Sequence, residues 1–182
     1  MQKPSLIKHL FILLFITQSF FATAQEKMIA KDGKEYNATS TWKFSCKDYA
    51  YTGILEVQIA KTEKGGLLKL GIEVSNETFY IGDTVYIILE DGSYITCTDK
   101  GIRELKGKKT IAYYFLTATE MNKLKGILVT DVRFRIKGNE DTFSSKTGHF
   151  TAINKKSDFQ TFGTSEESKT FDTKTEIKSL YN

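Results

Sequence analysis

Residue types that do nucleophilic or metal chemistry are scarce in this chain. Histidine occurs twice, and His9 lies in a leader expected to be removed, leaving His149 as the only imidazole of the processed protein. A Ser-His-Asp or Cys-His site would have to use it. Its surroundings, Lys146-Thr147-Gly148-His149-Phe150, read as a strand-edge loop and not as a nucleophile elbow. His149 is therefore read as a surface residue without a catalytic task. Zinc needs three or four converging ligands, and two cysteines 51 positions apart with one histidine supply no such spacing. No metal and no cofactor is expected. Gly65-Gly66 opens a strand, whereas a phosphate-cradling loop needs a following helix.

Three patterns could still carry chemistry. Paired carboxylates act as acid and base in glycosidases without a signature spacing, and Asp48, Glu56 and Asp131 are candidates in that broad sense. Each also suits a solvated strand face or turn. Cys46 and Cys97 each end a run with apolar inward positions, so both thiols should face the core. In an oxidising compartment they could form a disulfide contributing about 3–4 kcal/mol, or remain two small buried hydrophobes that never meet. Finally, the segment Lys100–Lys109 holds five cations against Glu104, and Arg133, Arg135 and Lys137 recur on one side of a strand. This second set is the candidate anion-binding face, although charge runs in loops are usually solvated connections. Asn37-Ala38-Thr39 and Asn76-Glu77-Thr78 match the glycosylation sequon, which matters only in a eukaryotic secretory pathway.

The elements positioning these residues are mostly strands. Two-residue alternation recurs through 41–46, 54–60, 68–75, 84–90, 93–98, 110–116 and 127–137. It places Trp42 and Phe44, Leu55 and Val57, Leu70 and Ile72, and Val132 and Phe134 on inward faces. Lys64-Gly65-Gly66 and Asp91-Gly92 read as hairpin turns, the latter of type I′. Tyr86 and Ile88 make the second face of the 84–90 strand apolar too, so it is expected to be covered on both sides. Ile111, Tyr113 and Phe115 should share a buried face. Thr117-Ala118-Thr119-Glu120 is a capping box that starts one short helix near residues 118–125, with Met121 and Leu124 inward.

These signals predict a mainly β fold, an antiparallel sandwich or open barrel with one short helix. Residues 41–162 form the single domain, preceded by a lead-in at 25–40. Beyond Asn154 polar residues dominate, and 163–182 is expected to be largely disordered or loosely docked, so its removal should leave the fold standing.

Residues 1–24 read as a cleavable export signal. Lys3 and Lys8 supply the positive start, Leu10–Phe21 the 12-residue apolar run, and Ala22-Thr23-Ala24 the cleavage site. The apolar run is too short to span a bilayer, which takes about 20 helical residues. The remaining 158 residues (182 − 24) suit one domain, and losing two lysines lowers the net charge from +4 to +2. That small excess gives no nucleic-acid footprint.

The leader's end and the stretches Tyr114–Thr117 and Val132–Phe134, with Glu120 and Leu124 between them, resemble small uncharacterised secreted β-proteins of Bacteroidota. The resemblance implies an envelope location and carries no functional residue. The expected function is an exported, non-enzymatic binding or envelope-interaction module, with an envelope protein or an anionic polymer as partner. Two readings stand beside it: a glycan-acting enzyme using paired carboxylates, and a purely structural envelope component.

Overall fold

A computed structural model describes residues 25–48, 52–138, 147–156 and 169–182. The expected leader and its cleavage site lie outside the described residues, as do 139–146 and 157–168. Eleven strands form one antiparallel sheet: β1 (Glu26–Ile29), β2 (Glu35–Ala38), β3 (Trp42–Cys46), β4 (Ile54–Thr62), β5 (Gly65–Glu73) and β6 (Tyr80–Leu89), then β7 (Tyr94–Cys97), β8 (Arg103–Lys106), β9 (Lys109–Thr117), β10 (Val129–Lys137) and β11 (Gly148–Ile153). Among the described residues two short helices accompany it, α1 (Ala118–Gly126) and α2 (Thr173–Ser179). The strand order is β7-β6-β10-β11-β3-β4-β5-β9-β8, and the sheet curls into a half-barrel. The expected open barrel is thus the architecture found. Among the described residues no helix is long and apolar enough to cross a membrane.

Alternation sets the facing of most strands, because successive side chains leave a strand on opposite sides. Trp42 and Phe44 of β3, Leu55, Val57 and Ile59 of β4, Leu68, Leu70 and Ile72 of β5, and Val132, Phe134 and Ile136 of β10 are all buried in one core. Helix α1 packs Met121 and Leu124 into the same core. Its start is the expected capping box: the Glu120 amide donates to Thr117 Oγ1 at 3.2 Å, and the Thr117 amide donates to Glu120 Oε2 at 2.7 Å.

Both turns differ from expectation. Glu63-Lys64 links Thr62 to its partner Gly65, so the glycine pair starts β5 and does not form the turn. What demands glycine there is close approach: a Cβ on Gly66 would lie 2.3 Å from Met121 Sδ. Gly66→Val should therefore cost about 1–3 kcal/mol by overpacking α1 against β5, read as a lower denaturant midpoint. In the next hairpin, the Gly92 amide donates to Leu89 O at 2.9 Å, and Gly92 alone of the turn residues has positive φ, at 78°. That is a three-residue connection with glycine in the left-handed position, not a type I′ pair.

β9 is covered differently from expectation as well. Ala112, Tyr114 and Leu116 face the main core, while Ile111 and Tyr113 lie in a second cluster with Met28, Ala38, Ala60 and Leu67. Phe115 is 57% exposed. The reason is the 25–40 segment, whose β1–β2 hairpin packs Met28, Ala38, Ala30 and Tyr36 against Ala60, Leu67, Ile111 and Tyr113.

Residues 169–182, expected to be disordered or loosely docked, pack on the core. Asp172 caps α2 by accepting from the Thr175 amide at 3.2 Å, and Ile177 and Leu180 are buried. Phe171 stacks on Phe44 with ring centroids 6.1 Å apart.

Candidate functional site

The outer face of β7, β6, β10 and β11 carries an open groove of about 520 Å³, lined by Tyr86, Ile88, Tyr94, Arg133, His149 and Thr151 among others. Register builds it. Arg133 of β10 lies opposite Tyr86 of β6 on one side and Thr151 of β11 on the other. Ile88 lies opposite Tyr94 of β7, and Arg135 opposite His149. The Tyr86 and Tyr94 rings meet edge to face, 5.9 Å apart at 73°. The expectation that β6 is covered on both faces fails here: Tyr86 is 40% and Tyr94 61% exposed. Exposed tyrosines on a rigid sheet present apolar area at little further entropic cost.

The three candidate cations divide. Arg133 is exposed and makes no ion pair among the described residues. Arg135 and Lys137 are both engaged by Asp83, with Arg135 Nη1 at 2.8 Å and Lys137 Nζ at 2.9 Å from its carboxylate. The bonded Lys137 ammonium, with Arg135 beside it, holds the Asp83 carboxyl below its ordinary range. Asp83 sits in a bulge where the β6–β10 register shifts, and its φ is 62°, the one positive value at a non-glycine described residue. Its amide donates to Asp99 Oδ2 at 3.0 Å, tying the bulge to the connection that joins β7 to β8. Asp83 offsets one of these three positive charges from within, and Arg133 is the member without an ion-pair partner among the described residues. Gly82 inside an apolar strand run was the sequence signal for this bulge.

His149 lies in β11 and not in a loop, exposed at the groove wall. The carboxylates singled out from the sequence do not converge. Asp131 is on β10, Asp48 follows β3, and Glu56 on β4 is bound to Lys109 Nζ at 2.6 Å. No group of three or more metal-ligating side chains occurs among the described residues.

Cys46 and Cys97 are buried as expected but unpaired. Cys97 sits on edge strand β7 and Cys46 on β3, four strand steps away in the sheet order. Burial pushes both thiols up to about 12, which keeps them protonated and inert.

The basic run at 100–109 is also mostly paired internally: Arg103 with Asp99, Lys106 with Glu104, and Lys109 with Glu56. Comparison with family models, with curated proteins and with solved structures finds no significant match to this chain. Function therefore has to be argued from this geometry alone.

Proposed function

We propose that this chain is an exported, non-enzymatic binding module whose ligand is an anionic polymer of the cell envelope, taken up in the groove between β7 and β11. The observation that carries the reading is Arg133, exposed and without an ion-pair partner among the described residues, in a groove that Tyr86 and Tyr94 also line. A guanidinium engages carboxylate, sulfate or phosphate with paired N–H donors, and tyrosine rings offer flat apolar faces for a sugar ring. Export rests on the leader sequence. Among the described residues no Asp or Glu lines the groove, which favours binding over carboxylate-driven glycan cleavage. A concave, aromatic-floored surface likewise favours a binding role over a purely structural one.

Salt elution from an immobilised acidic polysaccharide, polygalacturonate, tests this. Arg133→Ala and Tyr94→Ala should each elute at clearly lower salt with unchanged thermal midpoints, while Lys137→Ala should elute close to the parent. Parent-like elution of both groove variants would return the groove to an ordinary solvated surface.

A further inference from the structure

On the outer face of β4, β5, β8 and β9 a second cleft of about 280 Å³ is lined by Lys69, Lys106, Lys109, Glu56, Gln58, Gly71, Thr41 and Ile111. Gly71 makes the room. It pairs with Glu56 on one side and Ile111 on the other, and a Cβ there would lie 3.3 Å from Glu56 Oε2 and 3.5 Å from Lys109 Cδ. With no side chain at that position, Lys109 passes over β5 and reaches Glu56 at 2.6 Å. On the other wall Glu104 accepts from the Tyr113 hydroxyl at 2.5 Å and holds Lys106 at 3.3 Å.

Two of the three ammonium groups are therefore held in place by carboxylates that are themselves anchored on strands. Lys69 is different. It projects from the middle of β5, is half-buried, and makes no ion pair or side-chain hydrogen bond among the described residues. Burial, with Lys106 and Lys109 also close by, pushes its ammonium below the ordinary lysine range, against the opposing pull of Glu104 and Glu56. Three cations against two carboxylates leave one uncompensated positive charge, directed into a cleft.

We infer that this cleft is a second binding site, for a tetrahedral oxyanion group such as phosphate or sulfate, with Lys69 as the principal ligand and Lys106 and Lys109 flanking it. The anion supplies the partner Lys69 lacks and lowers the mutual repulsion of the three ammonium groups. Glu56 holds Lys109 over the cleft floor, so little order has to be created there on binding, while the more exposed Lys106 stays within reach of Glu104. The site is separate from the tyrosine groove and does not depend on that reading.

The test is titration of residues 25–182 with inorganic phosphate and, separately, with sulfate at constant ionic strength, followed by backbone amide NMR shifts. Saturable shifts should centre on 56–58, 69–71 and 106–111. Lys69→Met should weaken binding about tenfold or more, as expected for loss of a charged hydrogen bond, and Gly71→Val should weaken it by filling the floor. Arg133→Ala should leave it unchanged. Saturation with one anion alone identifies which group the cleft takes. Non-saturating shifts, or parent-like affinity in Lys69→Met, would overturn the site whatever the polysaccharide assay gives.

Discussion

Removal of residues 169–182 is expected to lower the thermal midpoint by ten degrees or more, or to abolish cooperative folding. Three apolar side chains leave the core: Ile177, Leu180 and the partly buried Phe171. Each such burial is worth roughly 1.5–3 kcal/mol. The deletion also orphans buried polar groups. The Val129 amide loses Thr173 Oγ1 at 3.0 Å, and the Asn154 carboxamide loses bonds at 2.9 Å to both the amide and the carbonyl of Phe171. A buried polar group without a partner costs about 1–3 kcal/mol. The sum is of the order of the whole stability of a domain, about 5–15 kcal/mol. Thermal and denaturant melts of residues 25–168 against 25–182 decide it, and a shift of only two or three degrees would show that the tail is dispensable. Ile177→Ala alone should cost about 2–5 kcal/mol in the full chain.

Phe134→Ala should cost roughly 3–5 kcal/mol, whereas Arg133→Ala, one residue away, should change stability by less than about 0.5 kcal/mol. Phe134 is buried at the centre of β10, its ring 6.0 Å from that of Phe150 directly across the β10–β11 ladder. β10 runs between β6 and β11, so neither neighbour can move in to fill the gap. Arg133 lines the groove and makes no ion pair among the described residues. Arg135→Ala falls between the two: it removes one of two cations from Asp83, a partly exposed ion pair worth about 0–1 kcal/mol. Equal losses for Phe134→Ala and Arg133→Ala in denaturant melts would mean the facing of β10 is reversed.

How much of this was legible in advance follows from the range of the interactions involved. Strand facing and the start of α1 depend on neighbours within a few residues. A two-residue period needs only an apolar side to bury, and a capping box closes within one turn. So Leu55, Val57, Phe134, Met121 and Thr117 could be placed from local pattern alone. The docking of α2 could not. Its segment is polar, and it folds because Ile177 and Phe171 meet a core assembled from residues spread between Trp42 and Ala152.

The candidate sites divide the same way. Arg133, Arg135 and Lys137 alternate with apolar residues, which identifies a cationic face. Which of them stays available depends on Asp83, some fifty positions earlier, reaching across from a bulge in β6. Cys46 and Cys97 were legible as inward-facing, but strand order alone sets their separation. The tyrosine groove and the lysine cleft are likewise products of register, since Tyr94, Tyr86, Arg133 and His149 meet only once β7, β6, β10 and β11 lie side by side. Residue type and a period of two set the apolar side of most strands. Which outward side chains become neighbours, and which charges cancel, follows from the packed sheet. Those outcomes depend on strand order and bulges, and both are set by burying the whole sheet at once.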